Sequence, residues 1–200
     1  MIGSANSHDG PWMRAVNSLQ RIRRLRLLAI VPVLIAGIFN TGYQYLLALD
    51  TMGGQVPDSW AGRTIEGFGV EAGEIGFGSM VIAGLVHIAP LIFAALIAGG
   101  LWARIDAQFR HRPLDTGFIF TAFLLVSLLP PGASLLHVVY GMSFAMILAY
   151  TVFGGEGKTF LSPALVGAAA VQISFPAYLV GNPLWSGLSG YAGTLSLIHI

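Results

Sequence analysis

The feature that most constrains this chain is a series of long apolar stretches without a formal charge. Leu27–Leu49 is the first, 23 residues that reach roughly 35 Å as a helix, enough to cross a hydrocarbon core. Ile75–Ala103 is the second and contains no Asp, Glu, Lys or Arg. Thr116–Gly155 is free of formal charge for 40 residues, and Pro130–Pro131–Gly132 divides it into a short third span ending at Leu129 and a fourth from Leu135 to Phe153. A fifth runs from the turn at Gly154–Gly157 to about Val180. Charged residues make up 10% of the chain and apolar ones 55%, with a mean hydropathy of +0.74. Soluble domains carry about a quarter charged residues, so the expected fold is all-α, a polytopic membrane helix bundle of about five transmembrane helices. The polar N-terminal segment 1–24 stands before a transmembrane domain over 25–194. Residues 195–200 read as a truncated, non-native end. The absence of cysteine rules out a disulfide framework and a thiol nucleophile. The late basic cluster and the long run behind it do not fit a signal peptide.

Charge placement predicts topology. Arg21, Arg23, Arg24 and Arg26 precede the first span, and Arg104, Arg110 and Arg112 fall between the second and third. The Asp50–Glu74 loop carries Asp50, Asp58, Glu66, Glu71 and Glu74 against Arg63. The positive-inside rule then places the N-terminus and the 104–115 connector in the cytoplasm. By alternation Gly154–Thr159 lies inside and Gly181–Gly193 outside. A net charge of +1 gives no reason to expect nucleic acid.

Several polar residues fall in or near the spans. Asn40 and Gln44, one turn apart, are expected to bond between helices. His87 is expected to bond a neighbouring helix, with a proton relay or a quinone contact as the sharper reading. His137 lies near an outer helix end. Ala94, Ala95, Ala98, Gly99 and Gly100, and the patch Gly167–Ala170, offer faces for close packing. There are no paired carboxylates in a span, no metal-ligand cluster and no triad, so no catalytic residue is assigned.

The segment Phe153–Pro176, FGGEGKTFLSPALVGAAAVQISFP, concentrates the remaining signal. GGEGKT misses the phosphate-loop pattern, because Val152 stands where a glycine is needed and a membrane helix precedes it. A helix starting near Phe160 would present unpaired N–H groups and the positive end of its dipole. Thr159 and Ser162 add hydroxyls, and Phe160 could stack on a ring. Irregular backbone at membrane depth is tolerated only inside protein or against a cavity. The turn is therefore either packed shut or lines a site.

The pieces FNTGYQ at Phe39–Gln44, AGGLW at Ala98–Trp102, Pro130–Pro131, FGGEGKTFLSPAL at Phe153–Leu165 and FP at Phe175–Pro176 resemble the B-subunit family of sodium-pumping NADH:quinone reductases. They more distantly resemble the D subunits of Rnf complexes. The resemblance runs from about Arg23 to Thr194 and implies the first of two inverted repeats of membrane helices. It implies a flavin-bearing subunit of a multisubunit NADH:quinone oxidoreductase in a bacterial inner membrane, with other subunits, quinone and Na+ as partners. Electrons pass through flavins toward quinone as sodium crosses. Riboflavin would sit beside Thr159, Phe160 and Ser162, where the family has asparagines at positions 159 and 162. FMN would be attached covalently, through its phosphate, to Thr194; there Ser189 and Ala192 replace an acid and a serine, and one residue is missing. Gly99 and Gly100 match a pair near the family's quinone pocket, while Ala103 stands where relatives often carry an acid. Two other classes fit the same helices: a non-redox inverted-repeat transporter or channel, and a structural subunit lacking flavin.

Overall fold

The computed structural model describes residues 11–53, 58–70, 76–111, 114, 116–153 and 159–176, with side chains except those of 11–20 and 23. Six α-helices form: α1 Pro11–Thr51, α2 Trp60–Gly67, α3 Phe77–Phe109, α4 Gly117–Leu128, α5 Leu135–Phe144 and α6 Pro163–Ser174. A π-helical segment, Ala145–Thr151, continues α5. The described residues contain no strand, and the chain is the all-helical membrane bundle expected. Two stretches are long and apolar enough to cross a membrane, Arg24–Thr51 and Phe77–Phe109, with mean hydropathies of 1.8 and 2.5. Gly117–Leu128, Leu135–Thr151 and Pro163–Ser174 are shorter apolar helices.

The boundaries differ from the sequence reading in instructive places. The first helix starts at Pro11, inside the segment read as polar, because proline suits a first helical turn and nothing before Pro32 interrupts helix formation. Helix α3 runs on to Phe109, through Arg104 and Asp106, which the charge pattern assigns to a connector. The fifth helix stops at Ser174, before Phe175–Pro176, since the residue before proline is steered out of the helical region. Helix α2 lies in what the sequence suggests is a plain loop. Its start is a Ser59 cap, whose Oγ accepts the Gly62 N–H at 3.1 Å, and its inner face is Ala61, Gly62 and Ile65. Arg63 pairs with Asp58 on the exposed side.

Helix α3 is the hub. It touches α1, α2, α4, α5 and the π segment, while α6 packs on α4, α5 and the π segment. The main core joins Leu91, Ala95 and Ala98 of α3 to Ala122 and Leu125 of α4, Val138 and Met142 of α5 and Val171 of α6. A second cluster, built from Tyr45, Leu46 and Leu49 of α1 with Ile65 and Ala83, seats α2 on the ends of α1 and α3.

Two crossings rest on glycine. A Cβ on Gly42 would lie 1.8 Å from the Met80 carbonyl oxygen, and one on Gly84 would lie 2.0 Å from that of Ile38. Ile38 and Gly42 are one turn apart on α1, as are Met80 and Gly84 on α3, so the backbones notch together reciprocally. Likewise a Cβ on Gly167 of α6 would meet the Gly141 carbonyl of α5 at 2.4 Å. The small-residue packing expected of Ala95, Ala98, Gly99 and the Gly167 patch is present. Asn40 and Gln44 are exposed instead, and Thr41, Gly42 and Tyr45 turn inward. The expectation that the amide pair joins helices within this chain is corrected: the inward face of α1 is set by the glycine notch, which leaves the amides on the opposite side.

Arg110 ties the end of α3 to the end of the π segment. Its Nε lies 3.0 Å from Asp106 Oδ1, and its Nη2 donates to the Thr151 carbonyl. That satisfies one of the carbonyls a helix end leaves open.

Two outcomes follow for thermal unfolding of the detergent-solubilised protein. Gly84→Ala should cost roughly 1–3 kcal/mol, because the added methyl has backbone in its way. Gly78→Ala, with open space at its Cβ, should be neutral or gain about 0.5–1 kcal/mol; equal effects at the two sites would refute the notch. Arg110→Gln should lose about 1.5–3 kcal/mol with its charge-assisted bonds, and Arg110→Lys should recover part of that.

Candidate functional site

The corner around α6's start is not packed shut. A partly open cavity of about 290 Å³ lies there, at the lower edge of the range for small-molecule sites. One wall is α4, through Gly117, Phe120, Thr121 and Leu124; the end of the π segment contributes Tyr150. Thr159, Phe160, Leu161, Ser162, Pro163 and Ala164 close the other side, and Arg26 of α1 reaches it as well.

Each element places its residues for a local reason. Pro163 occupies the first turn of α6 with Ser162 as its cap residue, at φ −63° and ψ 119°. The Ser162 hydroxyl makes no capping hydrogen bond, so it is not committed to its own helix. The π segment widens the last turns before the corner: the Val152 N–H bonds the Ile147 carbonyl, five residues back, at 3.2 Å. That register buries Met146, Ala149 and Tyr150 together. Thr121, 4% exposed, reaches back toward the Gly117 carbonyl at 3.4 Å, a long contact. Phe160 stands 85% exposed at the mouth.

The structure therefore brings together three residues singled out from sequence, Thr159, Phe160 and Ser162. Gly154–Lys158 of the adjoining turn, and Thr194, Ser189 and Ala192, lie outside the described residues. Arg26, Thr121 and Tyr150 are site residues that the sequence does not single out. Arg26 looks like one of a topological cluster. Thr121 is one hydroxyl in an apolar run, and only the π register brings Tyr150 to the corner.

The glycine pair on α3 is a packing device at its inner face. A Cβ on Gly99 would lie 2.4 Å from Met142 Cε and 3.2 Å from Phe118 Cδ2, and one on Gly100 would lie 3.6 Å from the same ring. One turn on, a second cavity of about 340 Å³ is lined by Trp102, Ile105, Asp106, Phe109, Arg110 and Ile147, with Thr151 at its end. Trp102 is fixed by its Nε1–H, which donates to Ser143 Oγ at 2.9 Å.

The histidines are placed by local contacts. His87 is buried, its Nδ1 lies 2.9 Å from the Ala83 carbonyl, and its ring packs on Tyr45 at 4.8 Å. His137 pairs with Ser134 Oγ at 3.0 Å and packs on Phe175. Among the described residues no group of three or more His, Cys, Asp or Glu is placed to hold a metal ion.

The cavity offers hydroxyls, an aromatic ring and a guanidinium. It suits a flat, partly polar ring system: the apolar wall of α4 covers a face, and hydroxyls meet an edge.

Comparison with known proteins agrees with this arrangement. The B subunit of the Na(+)-translocating NADH-quinone reductase of Neisseria meningitidis serogroup B is 30% identical over 181 residues, which is 89% of this chain and 44% of that protein. The protein of the same name from Klebsiella pneumoniae subsp. pneumoniae is 30% identical over 192 residues, 92% of this chain and 47% of the relative. That from Pseudomonas paraeruginosa is 34% identical over 185 residues, 90% and 45% respectively. The chain thus spans less than half the length of these relatives. The sequence profile of the NQR2, RnfD, RnfE family matches residues 6–197, nearly the whole chain, and with these similarities and the all-helical membrane bundle the chain belongs to that family.

Proposed function

We propose that this chain serves as a flavin-binding membrane subunit of a sodium-translocating NADH:quinone oxidoreductase in a bacterial inner membrane. The observation that carries the reading is the cavity beside Thr159–Ser162, at the segment whose wording is most specific to the family. Riboflavin is the proposed occupant. When bound, its isoalloxazine supplies the electron transfer.

The chain's own residues hold and orient that ring. Phe120 and Leu124 present an apolar wall to one face, and Phe160 covers the mouth. The hydroxyls of Thr159, Ser162 and Thr121 meet the polar edge. The asparagines of the family are replaced here by single hydroxyl groups, which donate and accept through one oxygen. The volume is enough to enclose a ring system, and a ribityl chain extends through the open side.

Other parts of the reading rest on the resemblance: FMN esterified to Thr194, a second inverted repeat, and docking of further subunits. Quinone is proposed to approach near Gly99 and Gly100. Because Met142 and Phe118 fill their inner face, the access favoured is the neighbouring cavity beside Trp102. The proposed orientation has the N-terminus in the cytoplasm. It gains support from the fold, since Arg26 and Thr159 line one cavity and hence lie at one end of the bundle.

The test is flavin content of the full-length protein, expressed with its partner subunits and flavin-attaching enzyme. In-gel ultraviolet fluorescence after denaturation is expected from the unmutated chain and is expected to vanish in Thr194→Ala. No signal before mutation would favour a structural subunit or a non-redox transporter. After native purification, Phe160→Ala should lower retained riboflavin affinity roughly three- to tenfold, the scale of one aromatic contact. Unchanged affinity would remove Phe160 from the site.

A further inference from the structure

The charge balance of the α4–α6 cavity says more than its shape. Among the described residues that line it, Arg26 is the one with a formal charge, and no carboxylate is among them. The remaining polar groups there, on Thr121, Tyr150, Thr159 and Ser162, are hydroxyls able to donate. Two of them are weakly engaged by the protein: Ser162 makes no capping bond, and Thr121 reaches only a long contact of 3.4 Å. A guanidinium beside uncommitted donors and an apolar wall is costly without a negative partner. Arg26 differs in this from Arg21 and Arg24, which are exposed on the same helix and do not line the cavity.

We propose that Arg26 is a positioning residue that makes this cavity selective for a flavin carrying negative charge. The proposal rests on the flavin reading above. Guanidinium forks recognise planar oxygen or nitrogen edges and phosphates equally well. The negative group therefore has two sources: the N1–C2 carbonyl edge of the ring, which gains electron density on reduction, or a phosphate on the ribityl chain. A cation beside the ring edge stabilises the electron-rich reduced form and raises the midpoint potential. A cation meeting a phosphate selects the phosphorylated cofactor and leaves the ring's potential little changed.

The experiment uses the full-length protein in its complex, with Thr194→Ala in the background so that only noncovalent flavin is read. Flavin released from the native protein is identified by chromatography, its affinity is measured by readdition of riboflavin or FMN, and the bound flavin is titrated spectroscopically. If the ring edge is the partner, riboflavin is released and its potential lies above that of free riboflavin; Arg26→Gln lowers that potential and weakens affinity about tenfold, as loss of a charge-assisted bond implies. If the phosphate is the partner, FMN is released, and Arg26→Gln abolishes the preference for FMN over riboflavin. Arg21→Gln, which removes the same charge off the cavity, should change none of these values. Released riboflavin at or below the potential of the free molecule overturns the inference on the unmutated protein alone, whether or not Arg26→Gln accumulates. So does Arg26→Gln with unchanged affinity, potential and preference. Absence of any noncovalent flavin in the unmutated protein is a different result, and it overturns the flavin reading itself.

Discussion

A helix in hydrocarbon has no water to complete its hydrogen bonds, and no aqueous surface for its side chains to prefer. Association then depends on how closely backbones can approach. In this chain that approach is made by glycine: Gly42 and Gly84 at the α1–α3 crossing, and Gly141 and Gly167 at the α5–α6 crossing. The first crossing seats the long N-terminal helix on the hub, and the second draws α6 against α5 and the π segment. With both closed, the start of α6 is held against α4, and the space left between them is the cavity. The site is in this sense the residue of two tight contacts elsewhere.

The same constraint explains what could be foreseen from the residues. Apolar runs without charge announce membrane helices whatever their packing, so the bundle and most of its helices were readable. Pro130–Pro131–Gly132 and Ser162–Pro163 mark breaks that local sterics alone dictate. Helix ends in charged stretches were less legible. Arg104 and Asp106 look like loop residues by charge, yet they extend α3 because nothing local stops a helix before Phe109. Helix α2 was hidden by its acidic surroundings, although Ser59 followed by Ala61, Gly62 and Ile65 is an amphipathic turn with its cap in place. Which face of α1 turns inward was not decidable from Asn40 and Gln44, since polarity marks a helix that needs a partner without saying which partner.

At the site, residue type was the readable part and assembly was not. Thr159, Phe160 and Ser162 announce themselves by a glycine turn, a proline and hydroxyls within a few positions. Arg26 lies far earlier in the chain and enters through the α1–α4 contact, which no local pattern encodes. Tyr150 depends on a register of five rather than four residues per hydrogen bond, a feature that sequence periodicity in an apolar stretch conceals.

That register has a consequence for how this region could change over time. A π segment carries one more residue than the α-helix it interrupts, so dropping a single residue between Ala145 and Thr151 would restore ordinary α-helical bonding at no loss of backbone pairing. The deletion would nonetheless swing everything after it by about a third of a turn, taking Tyr150 from the cavity wall and the Thr151 carbonyl from Arg110. The bulge thus acts as a local phase shifter. Small insertions and deletions there would re-aim the chain that follows toward a different cavity shape while leaving the rest of the bundle in place.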